Sequence, residues 1–172
     1  MLHVLYGEDD FSLEEVLTAM KEDMGPEELR DVNITVLDGA KVSFDRLAAT
    51  CDTVPFLADK RLVIVEGLLA LFEPSAPSRR PRADGAEAEQ PGRHNLTTDW
   101  KGLPVYLPRV PETTDLVFVD RRLRETNRML SAIRPHAKTR VFQLPKPGEL
   151  REWIRRRAAD KGIPIEPRAI HL

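Results

Sequence analysis

Thr53-Val54-Pro55-Phe56-Leu57-Ala58-Asp59-Lys60-Arg61-Leu62-Val63-Ile64-Val65 is the stretch that decides how this chain is read. Its second half, Leu62 to Val65, is an unbroken apolar run followed closely by Gly67, the pattern of a short strand covered on both faces. Its first half places two large apolar side chains, Phe56 and Leu57, after a helix-stopping proline and ahead of that strand, where a chain turns at a domain surface. Apolar residues at such a corner have two outlets. They turn inward and cap the core, or they stand outward as a docking plug for a partner's pocket. The residues alone leave both outlets open.

Outward from this stretch, short apolar runs alternate with helical patterns. His3-Val4-Leu5-Tyr6-Gly7 reads as a buried strand ending in a turn glycine. Ser12, three residues before Glu15, reads as a capping box that opens a helix to about Lys21, with Leu13, Val16, Leu17 and Met20 on its apolar face. Gly25-Pro26 breaks the chain. Asn33 to Leu37 is a second strand, and Ser43 caps a helix whose apolar positions include Phe44, Leu47, Ala48 and Cys51. A short helix is expected over Trp100 to Leu107, a strand over Asp115 to Asp120, a helix over Asn127 to Ile133 and a fifth strand over Thr139 to Leu144. Pro145-Lys146-Pro147-Gly148 reads as a hinge, Glu149 to Lys161 as a charged amphipathic helix, and Pro167 as the first turn of another helix. This alternation predicts an α/β domain with a largely parallel sheet flanked by helices. The last thirty or so residues read as the start of a separate helical unit, cut short. Residues 74–95, rich in proline, alanine and arginine and without hydrophobic periodicity, read as a mobile insertion.

The bulk properties set limits. The chain has 172 residues, of which 41% are hydrophobic, enough for one ordinary core plus a fragment of another domain. A formal net charge of −2 gives no global attraction to nucleic acid or to an anionic membrane, so any basic patch must be local. The single cysteine, Cys51, excludes an internal disulfide framework and reads as a buried, inert thiol. No run approaches membrane-spanning length, and the N-terminal residues lack a signal-like apolar core. A cytoplasmic protein is expected, with no membrane partner.

Complete catalytic motifs are missing. The turn Gly7-Glu8-Asp9-Asp10-Phe11-Ser12 lies where nucleotide-binding α/β proteins carry a phosphate loop, yet it has one glycine, no lysine and three carboxylates that would repel phosphate. A polar turn without ATPase activity is expected, and no cofactor or metal. Carboxylates collect at strand ends: Glu8, Asp9, Asp10, Asp38, Glu66 and Asp120. With Lys146 they outline a phospho-receiver pattern, but Glu66 occupies the acceptor position and the insertion is too long, so solvated strand ends are expected. His3, His94, His136 and His171 show no ligand spacing. Two basic clusters, Arg121, Arg122, Arg124 and Arg128, then Arg151, Arg155, Arg156 and Arg157, are interleaved with acidic residues and read as local ion pairs.

Four segments in order, Leu5 to Phe11, Val54 to Val65, Asp115 to Asp120 and Leu144 to Ile154, make the chain resemble the delta subunit of bacterial DNA polymerase III. The resemblance runs through the whole chain except residues 74–95. It implies an AAA+-like domain over residues 1–144 with a degenerate nucleotide site, the beginning of a helical lid domain over 145–172, and a C-terminal collar domain absent here. It further implies a non-catalytic clamp-loader subunit, part of a DNA-directed DNA polymerase (nucleotidyltransferase) assembly. Such a subunit binds the sliding clamp and opens it for loading onto DNA during replication. The implied partners are the clamp (beta), the other loader subunits (gamma/tau and delta prime), and DNA through the assembled complex. By position, Phe56 and Leu57 are the clamp-binding plug, Val54 a flanking contact, and Thr53 and Pro55 the residues that shape the turn. Asp52 stands where some members carry glutamine. A phospho-receiver-like signalling domain and a degenerate ATPase are the rival readings, distinguished by phosphorylation or magnesium binding and by nucleotide binding.

Overall fold

A computed structural model describes residues 1–73, 99–166 and 169. Among the described residues five strands run parallel: β1 Leu2–Gly7, β2 Ile34–Asp38, β3 Arg61–Glu66, β4 Thr114–Asp120 and β5 Lys138–Phe142. Their order across the sheet is β2-β3-β4-β1-β5. The helices are α1 Asp10–Glu22, α2 Glu27–Asn33, α3 Phe44–Asp52, α4 Leu103–Tyr106, α5 Arg128–Ile133 and α6 Leu150–Asp160. The expected parallel sheet flanked by helices is present. The phospho-receiver alternative fails on strand order, because that fold places β1 between β2 and β3 whereas here β1 pairs with β4 and β5.

Period-two alternation distributes the apolar strand residues to two covered faces. Val4, Val63, Val65, Leu116 and Phe118 pack with Leu47 and Cys51 of α3, Trp100, Leu103 and the Leu130 and Ile133 side chains of α5. Leu5, Leu62, Ile64, Val117 and Val119 face the other way, onto Leu13 and Leu17 of α1, with Val16 and Met20 packed at the margin. All seven residues of β4 are buried, while the edge strands β2 and β5 each bury a single residue, Leu37 and Phe142. The apolar face foreseen for α1 is therefore correct in all four residues.

Several local expectations needed correction. The cap of α1 is Asp9, not Ser12: the Asp9 carboxylate accepts from the Ser12 amide at 3.0 Å and also binds the Ser12 hydroxyl. A charged oxygen interacts more favourably than a hydroxyl with the positive end of the helix, so the helix begins earlier. Helix α2 was not foreseen after Gly25-Pro26; its short polar sequence carries too little periodicity to announce it. Strand β5 stops at Phe142 rather than Leu144, and the helix expected over Trp100–Leu107 is confined to Leu103–Tyr106, continued by a 3-10 turn, Leu107–Arg109. Ser43 does cap α3, accepting from the Arg46 amide, and Asn127 caps α5 through the Leu130 amide. The insertion at 74–95 and the helix expected from Pro167 lie outside the described residues, apart from Ala169.

The chain divides into two compact units, Met1–Phe142 and Gln143–Leu172. The first contains the sheet and helices α1 to α5. The second contains α6, where the Arg157 guanidinium lies 5.3 Å from the centre of the Trp153 ring. Among the described residues no helix is long and apolar enough to cross a membrane.

Candidate functional site

The corner between α3 and β3 is built from its carbonyl groups outward. Helix α3 ends with carbonyls that no longer have a partner inside the helix. Three side chains from elsewhere in the fold reach carbonyls at and around this end. Thr114 Oγ1 of β4 donates to Cys51 O at 2.7 Å, the Tyr106 hydroxyl of α4 donates to Ala48 O at 3.2 Å, and Arg61 Nη1 of β3 donates to Thr53 O at 3.0 Å. The single proton of that hydroxyl is shared with Asp52 Oδ1, which lies closer at 2.7 Å, and burial together with this bond holds the phenol well above its usual range. Arg61 is buried at the foot of the corner and also donates from Nη2 to Thr35 Oγ1 at 3.2 Å. A cation at the C-terminal end of a helix is favourably placed against its dipole.

Beyond Thr53 the chain leaves the helix and exposes its side chains. Val54 is 81% exposed, Phe56 57% and Leu57 76%. Pro55 between them is half-buried. Leu57 adopts φ +49°, the only non-glycine residue with positive φ among those described. That left-handed conformation costs a leucine about 1–2 kcal/mol, and the exposed side chain recovers little by packing within its own chain.

What holds the corner is Asn33, the last residue of α2, 1% exposed. Its carboxamide accepts from the Phe56 amide through Oδ1 at 2.7 Å and donates from Nδ2 to Phe56 O at 2.9 Å. The same Nδ2 donates to Leu29 O at 3.0 Å, one turn back in α2. Both backbone polar groups of Phe56 are thereby engaged by one buried side chain, and the ring is left outside. The five residues singled out from sequence, Thr53, Val54, Pro55, Phe56 and Leu57, thus form one continuous corner. Of the two side chains that hold it, Arg61 lies within the stretch read first but was given no role, and Asn33, 23 residues from Phe56, was read only as the first residue of a strand.

The carboxyl ends of the strands tell a different story from the one expected. Of the six carboxylates, Glu8, Asp10, Asp38 and Glu66 are solvated, but Asp9 and Asp120 are buried. Asp120 accepts from the amides of Leu69 and Ala70 at 3.1 and 3.0 Å, and burial pushes its carboxyl up to about 6 despite those bonds. A buried carboxylate that satisfies a turn's amides escapes sequence reasoning, because its partners lie fifty residues away. Beside these ends a cleft of about 310 Å³ is lined by Asp10, Glu14, Glu66, Asp120 and Arg121 among others. Its rim is strongly acidic. At the first turn the Asp9 amide donates to Phe142 O at 3.1 Å, and the Asp9 carboxylate occupies the anion position at the start of α1. A phosphate there would compete with the chain's own carboxylate.

Three arginines of the basic cluster after β4 are paired, Arg122 with Glu8 at 2.9 Å, Arg121 with Asp10 at 3.4 Å and Arg124 with Glu73 at 3.9 Å, all with exposed side chains; the partners lie on segments distant in sequence and not, as expected, among the neighbouring acidic residues. No group of three or more His, Cys, Asp or Glu side chains suited to a metal ion occurs among the described residues. Cys51 is fully buried, and desolvation pushes its thiol up to about 12.

Residues 3–81 match the family described as DNA polymerase III, delta subunit. The DNA polymerase III subunit delta of Bacillus subtilis is 31% identical over 65 residues, 38% of this chain and 19% of that protein. The solved Bacillus subtilis DNA clamp loader delta protein superposes with a TM-score of 0.70 at 19% identity, covering 98% of this chain and 46% of that one. A DNA polymerase III gamma subunit-related protein from Thermotoga maritima superposes at 0.48 with 17% identity, covering 91% of this chain and 45% of its own. The chain thus spans under half the length of the delta proteins it matches. Its sheet has the AAA+-like fold of a clamp-loader delta protein, and the resemblance to the DNA polymerase III delta subunit that its sequence carries is borne out.

Proposed function

We propose that this chain is the clamp-docking part of a non-catalytic clamp-loader subunit, with Phe56 and Leu57 as the plug that enters a pocket on the sliding clamp. Val54 flanks the plug, while Thr53 and Pro55 shape the turn that presents it. Residues 1–144 act as the clamp-binding AAA+-like domain and residues 145–172 begin the lid. The observation that carries this reading is the exposure of two large apolar side chains on a backbone fixed from both sides. Nothing in the chain's own stability explains an exposed leucine at φ +49°. An outward apolar pair on a rigid corner is explained by a partner that buries it.

The mechanism breaks no bond. Burying two such side chains contributes roughly 3–6 kcal/mol before ordering costs. Where the pocket or its surroundings differ between the closed and open ring, part of that energy biases opening. ATP binding belongs to partner subunits in this scheme, since the first turn places carboxylates and not a lysine where phosphate would sit. The gamma/tau and delta prime subunits are the proposed neighbours, with DNA reached through the assembled complex.

The test is the affinity of the protein and of its Phe56→Ala/Leu57→Ala variant for the cognate sliding clamp, by surface plasmon resonance, with circular dichroism as the folding control. A loss of at least about a hundredfold is expected. Unchanged affinity in a folded variant would defeat the plug.

A further inference from the structure

We propose that Asn33 is a positioning residue for clamp docking: it holds the Phe56 backbone in its docking geometry before the partner arrives. The inference rests on the plug reading above and adds a residue from outside the corner to it. Asn33 and Phe56 are separated by 23 residues, and all three side-chain hydrogen bonds of Asn33 go to backbone groups: its Oδ1 takes the Phe56 amide and its Nδ2 the Phe56 and Leu29 carbonyls. A carboxamide is the side chain suited to this task, because it offers an acceptor and a donor on one planar group and so can engage N–H and C=O of a single residue. Neither aspartate, which lacks the donor, nor leucine, which fits the space, can do both.

The geometry separates presentation from contact. The Asn33 side chain is buried and cannot itself reach a partner, whereas the Phe56 ring and the Leu57 side chain are exposed. The residue after the fixed Phe56 backbone stands in the left-handed conformation, so that two consecutive large side chains leave one short turn. At the other end of the same turn Arg61 holds Thr53 O, so residues 53 to 56 are spanned between two buried side chains. A loop ordered in advance loses less conformational freedom on binding, and the affinity gained comes from that saving and from no new contact. Asn33 also bonds back into its own helix at Leu29, so the corner is referenced to α2 rather than to a free loop end.

The test is a double-mutant cycle measured against the cognate sliding clamp. Asn33→Asp keeps size and the acceptor but loses both donations; Asn33→Ala loses all three bonds. In the otherwise unchanged protein, Asn33→Ala is expected to weaken clamp binding by about tenfold, and Asn33→Asp, whose second carboxylate oxygen would face the Phe56 and Leu29 carbonyls, by at least as much. In the Phe56→Ala/Leu57→Ala background, where there is nothing left to position, Asn33→Ala is expected to cause no further loss. A merely structural Asn33 would lower affinity equally in both backgrounds, and that additivity would overturn the inference while leaving the plug standing. Full affinity of Asn33→Ala beside a crippled plug variant would overturn it too. If the plug variant itself binds normally, both readings fall together. Because Asn33→Ala could unfold the domain, the unaltered protein supplies a second measurement. Hydrogen exchange of the free protein should show the Phe56 amide protected at least about a hundredfold over the neighbouring Leu57 amide. Equal, rapid exchange of the two amides would mean that the corner is not held in advance, and the inference would be wrong.

Discussion

Gly7 and Phe142 approach so closely that a β-carbon on Gly7 would lie 1.9 Å from the Phe142 carbonyl oxygen. Gly7 ends β1 and Phe142 ends β5, two strands paired in register from His3 with Lys138 to Gly7 with Phe142. The same carbonyl accepts the Asp9 amide, so the absence of a side chain at Gly7 lets the first turn fold back over the end of the sheet and start α1.

Gly7→Ala is therefore expected to cost well over about 3 kcal/mol, since the obstacle is the Phe142 backbone, which cannot swing aside like a side chain, and Gly7 also sits at φ +148°. Urea unfolding followed by circular dichroism measures it. A midpoint within experimental scatter of the parent would mean that the β1–β5 closure is not as described.

Leu57 gives the opposite sign. Leu57→Gly removes the left-handed penalty at φ +49° and sacrifices little burial, because the side chain is 76% exposed. The free protein should gain about 0.5–1 kcal/mol of stability after the extra flexibility of glycine is subtracted. Clamp affinity should fall in the same variant by about tenfold or more, as half of the apolar pair is gone. Thermal melting and the binding assay together read this opposition. A variant less stable than the parent would show that Leu57 earns its place by packing within the chain.

Asp120 makes a pH prediction. Its carboxyl is pushed up to about 6 by burial, against 3.8 unperturbed. Between about pH 4 and pH 6 the folded protein holds a proton that the unfolded chain has released. The folded state binding more protons, stability falls as pH rises through that window and levels off above it. The contribution is of order 2–3 kcal/mol. Other carboxylates titrate nearby, so the quantity to measure is the difference between the parent and Asp120→Asn. The variant should gain on the parent as pH rises from 4 to 7 in chemical denaturation. A pH-independent difference would rule out a raised carboxyl at Asp120.

Cys51 should be silent to thiol reagents. Fully buried, with its thiol pushed up to about 12 by desolvation, it offers almost no thiolate near neutral pH. Iodoacetamide at pH 8 should label it only after denaturant is added. Rapid labelling of the folded protein would place Cys51 at the surface.

Much of the fold was legible in the chain because strands covered on both faces are written as apolar runs. Leu62 to Val65 and Leu116 to Val119 announce themselves, and the capping residues Ser43 and Asn127 mark the starts of α3 and α5. Helix α2 was missed for the converse reason: seven residues, four of them charged, bury little beyond Asn33 and leave no stripe to recognise. At the strand ends the same acidic residue type has two fates. Glu66 meets water while Asp120 is enclosed by the amides of Leu69 and Ala70, and no spacing in the sequence distinguishes them.

By itself the sequence determined the alternation of helices and strands, a first turn without the glycines and lysine of a phosphate loop, and a corner carrying Phe56 and Leu57. These are local properties, set by side-chain period, proline and the charge of consecutive residues. It left open whether the pair faces in or out. Only the tertiary structure decided that, along with the placing of β1 between β4 and β5. The reason is distance along the chain. Asn33 grips a backbone 23 residues further on and Thr114 closes α3 from 63 residues away, and contacts of that span arise from packing, not from any pattern of neighbours.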